Sequence, residues 1–392
     1  MSISKYDFLL FENYHLATHH LYDLFMIARM MQSQGLKVAV FDVFHEIEED
    51  MREGIPVIHW KFKLAIPDDS WLLRKHSKWE TAFKSVKLLI QTHFYFREVV
   101  SYIRDKADAF YCGSYHKGIS TELFLLQKPC YYWGLRSERL TFTWRKLLPS
   151  PFDGLHVFLQ RRRFLRNQFQ RLFVSNPIIL EEHIRIGVPR SRMVIREERV
   201  VEKMTEANLS MMDAEVSFLV IGQLRKEKQI PVTVAAFRQA NIPGSTLKLI
   251  GRSQNDYEVI IESAISNDKR IVRVNEYLDY KDFFKYFSKS HFVLFADQQG
   301  QSCITNGTMM EALIHHRPVI CPDYNPYSYY IDKYGIGLKY RAGDAESYAA
   351  ALKKAVALGT GYFQPAINTF LFTLDFDTVA RQFVTELNLK NG

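Results

Sequence analysis

Three side chains in the second half of this sequence have types and spacing suited to one kind of chemistry: Arg225, Lys228 and Glu311. The two cations lie in the run Gly222-Gln223-Leu224-Arg225-Lys226-Glu227-Lys228, directly after an apolar stretch. A diphosphate leaving group concentrates negative charge, and paired cations stabilise the charge that builds as its bond to a sugar breaks. Arginine brings a planar fork and lysine a point charge, so the two can divide bridging and terminal oxygens. Gly222 permits a tight turn where the apolar stretch ends. Taken alone, the same run also reads as a solvated basic turn.

Glu311 follows a second suggestive stretch, Cys303-Ile-Thr305-Asn306-Gly307-Thr308-Met-Met-Glu311. Thr305, Asn306, Gly307 and Thr308 have the composition of a helix start, with a capping side chain and a glycine that lets backbone approach a ligand. Free N–H groups and the positive end of the helix dipole suit a phosphate there. Glu311, about one turn into the helix, would reach past that phosphate to a sugar hydroxyl. The competing reading is ordinary capping, with Glu311 an exposed carboxylate favoured by the dipole. Met309, Met310, Ala312, Leu313 and Ile314 supply a buried face. Pro318 disfavours α geometry at Arg317 and is expected to stop the helix.

These stretches need a scaffold, and the chain supplies alternating strand and helix patterns. In the first half, Phe8–Phe11, Val38–Phe41, Ile55–Ile58, Asp108–Cys112, Pro129–Trp133, Leu172–Ser175 and Met193–Arg196 read as strands. Helical patterns fall around Leu21–Met31, over 79–104, over Ile119–Leu126 and from Asn176-Pro177 to Ile186. In the second half, strands are expected at Val216–Ile221, Leu247–Ile250, Ile271–Val274, Phe292–Phe295 and Val319–Cys321. Helices are expected at Val232–Ala240, Tyr257–Ser266, Asp282–Ser288, Ser328–Tyr334, Ala345–Ala357 and Phe376–Leu387. Strand, helix, strand in repetition implies parallel sheets and an α/β protein.

The motif 222–228, together with 303–323, resembles the nucleotide-binding half of GT-B glycosyltransferases, with the nearest likeness to family 4 and its relatives. Many family 4 enzymes have arginine directly after the glycine, where this chain has Gln223; it is similar instead to a subset with a Gly-Gln-Ile-Arg-type opening. Glu311 matches the second of the family's two glutamates, while the place of the first is taken by Cys303.

The resemblance implies two Rossmann-like, doubly wound domains facing a central cleft, with residues 1–205 binding acceptor and 206–375 binding nucleotide sugar. Residues 376–392 would then be a helix packing back on the first domain. The resemblance further implies transfer of a hexose-like sugar from a nucleotide-diphosphate donor to a glycan or lipid-linked acceptor, as in surface polysaccharide biosynthesis. Asn275-Glu276-Tyr277 would line the base, and Gly251 and Arg252 would face the same ligand. His116 stands where the family has a histidine near the donor sugar.

An inverting mechanism would need Glu12, His15 or Asp153 to take the acceptor's proton; a retaining one would need no such base. His19 and His20 follow the same first strand, and Trp133-Gly134-Leu135-Arg136 would lie near the acceptor. No cofactor is expected, and no Asp-x-Asp pair stands where a metal would be needed. An epimerase of the same fold, or a catalytically silent nucleotide-binding protein at a membrane, are the alternatives.

Bulk properties agree with a folded two-domain protein. The 392 residues are 47% hydrophobic and 24% charged, which excludes wholesale disorder. A formal charge of +8 favours anionic partners. Arg136, Arg139, Arg145, Lys146, Arg161, Arg162, Arg163, Arg166 and Arg171 alternate with Phe142, Trp144, Phe152, Phe158, Phe164 and Phe169. That mixture suits an anionic membrane surface or a phosphate-bearing acceptor, or it is an arginine-coated helix with a core of aromatics. No nucleic-acid-binding module is visible. The four cysteines lack metal spacing and read as reduced thiols. Without a signal-peptide pattern or a spanning apolar run, the expected place is cytoplasmic, peripheral on the inner membrane face.

Overall fold

The computed structural model describes residues 5–11, 18–43, 47, 49, 52, 54–60, 63, 78–113, 126–133, 161–196, 200–201, 215–253, 255–278, 280–298 and 307–387. The chain divides into two compact units, one of Met1–Glu197 with Asp377–Gly392 and the other of Glu198–Phe376.

The first unit is built on a parallel seven-stranded sheet. Its strands are β1 (Tyr6–Phe11), β2 (Val38–Asp42), β3 (Val57–His59), β4 (Ala107–Cys112), β5 (Cys130–Trp133), β6 (Gln170–Val174) and β7 (Met193–Ile195), in the order β3-β2-β1-β4-β5-β6-β7. Phe8 through Phe11 and all of β2 are buried, the continuous apolar run expected of strands covered on both faces. Phe8 stands beside Val38 on one side and Ala109 on the other.

Helices α1 (Thr18–Ser33), α2 (Lys78–Ile103) and α3 (Pro177–Arg185) connect these strands. Asn176 caps α3, its side chain accepting from the Ile178 and Ile179 amides at 3.0 Å, with Pro177 in the first turn.

The second unit holds a parallel six-stranded sheet of β8 (Val216–Ile221), β9 (Ser245–Ile250), β10 (Ile271–Val274), β11 (Phe292–Leu294), β12 (Val319–Pro322) and β13 (Gly337–Tyr340), ordered β10-β9-β8-β11-β12-β13. Between them run α4 (Ile230–Ala240), α5 (Asn255–Ile265), α6 (Tyr280–Ser288), α7 (Gly307–Ile314), α8 (Tyr327–Tyr334), α9 (Ala345–Leu358) and α10 (Gln364–Phe372). One core runs through the unit, joining Phe218, Phe237, Leu249, Met309, Leu313 and Tyr348.

The last helix, α11 (Phe376–Glu386), belongs mainly to the first unit. Phe383 stacks on Phe173 at 4.8 Å, the Arg196 guanidinium lies over the Phe383 ring, and the Tyr131 hydroxyl donates to the Leu387 carbonyl at 3.0 Å. The chain reaches it by pairing Val201 with the segment at Leu374–Phe376, the Val201 amide donating to the Leu374 carbonyl at 2.8 Å.

Several sequence expectations need correction. β13 and α10 were not anticipated. Gly337 hides the strand, yet the packing requires it, because a Cβ there would collide with the Val319 carbonyl on β12. Helix α7 does end at Ile314, directly before His315-His316-Arg317-Pro318, and His316 in a left-handed conformation (φ 57°) turns the chain back.

In the basic-aromatic region, Phe164 is fully buried within the helical residues 161–166. Arg161 there donates to the Ile186 carbonyl at 2.6 Å, and Arg192 to the Phe164 carbonyl at 2.8 Å. Those two guanidiniums are engaged in capping backbone; residues 136–160, and all but Leu126 of the helix expected over Ile119–Leu126, lie outside the described residues. Cys112, Cys130 and Cys321 are buried free thiols, and burial pushes the Cys130 thiol up to about 12, so it stays protonated. Among the described residues, no helix is long and apolar enough to cross a membrane.

Candidate functional site

At the end of β8 the chain does not leave the sheet at once. Gly222 takes φ 102° and donates to the Ile250 carbonyl at 3.1 Å; fully buried Leu224 then donates to the Arg252 carbonyl at 2.9 Å. The parallel pairing of β8 with β9 is thereby carried on to Leu224 and Ser253. Gly251, at φ 123°, makes this possible: a Cβ there would collide with the Gly222 carbonyl.

A single 3₁₀ turn, Lys226–Lys228, follows Arg225, and Gln229 in the left-handed region directs the chain into α4. This turn brings the two predicted cations to different places. Lys228 curls back, its ammonium donating to the Ile221 carbonyl at 3.0 Å, whereas Arg225 is exposed. The position that a Cβ on Gly222 would occupy lies 3.5 Å from Lys228 Nζ and 3.7 Å from Thr308 Oγ1. The Lys228 ammonium and the Thr308 hydroxyl in the first turn of α7 therefore both lie next to the bare backbone of Gly222.

Burial lowers the Lys228 pKa; Asp297 opposes that effect and Arg225 adds to it. An ammonium deprived of water gains most from an incoming anion. Asp297 is held in place, its carboxylate accepting from the Tyr327 hydroxyl at 2.5 Å and its carbonyl from the Tyr324 hydroxyl. The next residue, Gln298, donates its amide to the Glu227 carbonyl at 2.7 Å, which ties the end of β11 to the basic turn.

Glu311 is buried, with 7% of its surface exposed, unlike an ordinary first-turn carboxylate that faces water. Gly251 is buried and Arg252 exposed. Glu276 and Tyr277 project from the end of β10, Tyr277 with 86% of its surface exposed. Thus the described members of the predicted set, Gly222, Arg225, Lys228, Gly251, Arg252, Glu276, Tyr277, Gly307, Thr308 and Glu311, all belong to the second unit. Glu12, His15, His116, Asp153, Cys303, Thr305 and Asn306 lie outside the described residues.

Sequence reasoning passed over a further set beside these. Arg273 on β10 forms a two-pronged pair with Glu258 of α5, at 3.1 and 2.8 Å, and Ser253 donates to the same carboxylate. Burial would raise the Glu258 pKa, but the bonds from Arg273 and Ser253 hold it below the ordinary value. The available signal was an arginine inside the apolar run Ile271-Val-Arg-Val274. Among the described residues, no three His, Cys, Asp or Glu side chains gather as a metal ion would require.

With this geometry in view, the fold can be compared with known ones. The model superposes on Anabaena HepE, solved with UDP-glucose, at 13% identity and a TM-score of 0.65, over 97% of this chain and 99% of that one. It is similar to the lipopolysaccharide outer core galactosyltransferase WaaB at 12% identity and a TM-score of 0.67, over 98% and 99%. It is also similar to the UDP-GlcNAc 2-epimerase of Neisseria meningitidis, solved with UDP-GlcNAc, at 13% identity and a TM-score of 0.58, over 98% and 99%. No protein-family model and no curated protein sequence matches the chain. The fold is that of the GT-B glycosyltransferases.

Proposed function

We propose that this protein is a glycosyltransferase resembling family 4, which takes a hexose-like sugar from a nucleotide-diphosphate donor. The observation that carries the proposal is the convergence of the Lys228 ammonium and the Thr308 hydroxyl on the bare backbone of Gly222, at a helix start. A terminal phosphate placed there would meet a partly desolvated ammonium, a hydroxyl and the first amides of α7. Arg225, at the mouth of the same turn, would reach the other phosphate. As the glycosidic bond breaks, the departing oxygen gains charge, and both cations stabilise it most at that moment. Glu311 would accept from the ribose hydroxyls and Arg252, Glu276 and Tyr277 would lie along the nucleoside. Thr305 and Asn306 would complete the phosphate contacts, His116 would lie near the donor sugar, and Glu12 would serve the acceptor.

Two cations in this turn can take the charge-neutralising role of a metal, so turnover is expected without one; complete loss on chelation would contradict this. The acceptor is a glycan or lipid-linked glycan of surface polysaccharide, on the cytoplasmic face of a membrane. Support for that acceptor is the basic-aromatic composition of 136–171 and the fold shared with a lipopolysaccharide transferase. Liposome flotation without preference for anionic lipid would remove the membrane part.

Calorimetry of nucleotide diphosphate binding tests the central claim. Lys228→Ala should lower affinity about a hundredfold, the scale of a lost charge-assisted contact; unchanged affinity would refute the assignment. Likeness to an epimerase structure favours a second reading, in which the sugar is rearranged while still attached. Slow release of nucleotide diphosphate from the donor would support transfer, a changed but intact donor would support epimerisation, and binding with neither would identify a silent nucleotide-binding protein.

A further inference from the structure

Beside the basic turn, the second unit contains a part-buried charge pair that the proposed chemistry does not use. The Arg273 side chain is 8% exposed and its partner Glu258 19%. Its terminal nitrogen Nη1 donates to three carbonyls, those of Leu249 at 3.0 Å, Gly251 at 2.8 Å and Val274 at 2.6 Å. Its other two nitrogens bind both oxygens of Glu258. Glu258 in turn receives the Ser253 hydroxyl, and the Ser253 amide donates to the Asn275 side chain at 3.1 Å. One guanidinium therefore gathers the ends of two strands and the loops that leave them.

A buried ion pair seldom adds net stability over an apolar pair of the same size, because both charges lose water. What it does impose is geometry, since a fork bound on five sides has a single arrangement. The opposite end of the same strand offers a contrast. There Asp268 receives Arg270 and Arg238, whose side chains are 37% and 36% exposed, and no carbonyl beyond a strand end depends on Arg270. At that opposite end Arg238 donates to one carbonyl, that of Ile265, whereas Arg273 gathers three at the end from which Arg252, Glu276 and Tyr277 project.

We propose that Arg273, Glu258 and Ser253 are positioning residues that fix the Arg252–Ser253 and Asn275–Tyr277 loops as the support for the nucleoside of the bound ligand. The inference depends on the diphosphate reading of the Gly222–Lys228 turn. β10 lies two strands from β8, a spacing of roughly 10 Å, so its loop is set well to one side of the phosphate turn. The phosphate turn has separate supports, the Lys228 bond to Ile221 and the Gln298 bond to Glu227. Disturbing the Arg273 pair should therefore weaken binding of the nucleoside and spare that of the phosphates.

The test is calorimetry on the full chain with inorganic pyrophosphate and with whichever of UDP, GDP and ADP binds wild type most tightly. Arg273→Lys and Glu258→Gln should each lower nucleotide affinity about tenfold, as expected for losing hydrogen bonds to a charged group, while pyrophosphate affinity stays within about twofold. Glu258→Gln keeps the shape of the side chain and serves as the folded control if Arg273→Lys does not fold. Ser253→Thr, which keeps the hydroxyl, should retain nucleotide affinity, and Ser253→Ala should lose part of it. Equal losses for nucleotide and pyrophosphate, or no loss for either, would overturn the positioning role. Wild-type protein that binds neither ligand would instead defeat the diphosphate reading, and this inference with it.

Discussion

Strand β2 of the first unit and strands β8 and β9 of the second finish in opposite ways. In the first unit, β2 ends on Asp42, a buried carboxylate that accepts from the Ile47 amide at 3.2 Å and lies 3.4 Å from His59 Nδ1 on β3. The Arg52 guanidinium lies 3.3 Å from the other nitrogen of that ring. In the second unit, β8 and β9 end on Gly222 and Gly251, and the side chains that follow are Arg225, Lys228 and Arg252. A carboxylate at a strand end disfavours an anion; a strand end closed by glycine and followed by cationic side chains favours one. The end of β2 and the ends of β8 and β9 thus differ in the charge of the side chains gathered there.

The largest effect that would break this contrast is steric. Gly251→Ala must drive a Cβ into the Gly222 carbonyl in a backbone conformation that L-residues avoid, so unfolding of the second unit should be easier by more than about 3 kcal/mol in urea titration. Gly54→Ala in the first unit also has a positive φ (81°) but no atom within 4 Å of the new Cβ, and should cost only about 1 kcal/mol. Equal losses would mean that the close approach of β8 and β9 is unimportant.

Next in size is Lys228→Met, which keeps the packed stem and removes the charge. Nucleotide diphosphate affinity should fall by about 2–3 kcal/mol while thermal stability holds or rises, because a cation with a burial-lowered pKa is gone. Asp42→Asn should do the reverse, leaving nucleotide affinity unchanged and lowering the stability of the first unit by about 1–2 kcal/mol. If both substitutions weakened nucleotide binding equally, the difference between the two edges would have no functional meaning.

The smallest effect near neutral pH concerns His315, whose ring stacks 5.4 Å from Phe287 at the end of α7. Burial, with Arg317 and His316 adding to it, moves its pKa from 6.5 to about 4. The folded unit therefore prefers the neutral ring, and the unfolded chain binds the extra proton between those values. Stability from this residue is complete above pH 6.5 and is lost as pH falls toward 4. His315→Leu should flatten that part of the urea midpoint's pH profile, leaving the first unit's profile unchanged.

Much of the scaffold was legible because its signals are local. Apolar runs such as Phe8–Phe11 and Phe218–Ile221 identify buried parallel strands, and Asn176-Pro177 announces a helix start through its own hydrogen bonds. β13 was not legible, because Gly337-Leu-Lys-Tyr340 becomes a strand only when β12 lies beside it. The end of α7 was legible in His315-His316-Arg317-Pro318, and His316 turns the chain back there.

The alternation of strands and helices, the glycine at 222 and the cations three residues apart follow from composition and short-range spacing alone. Only the tertiary structure decided that Lys228 is drawn back to β8 beside Thr308 while Arg225 faces solvent, and that Arg273 gathers the carbonyls of two strands. The reason is physical: burial and hydrogen-bond partners depend on which distant segments meet, and spacing along the chain does not contain that information.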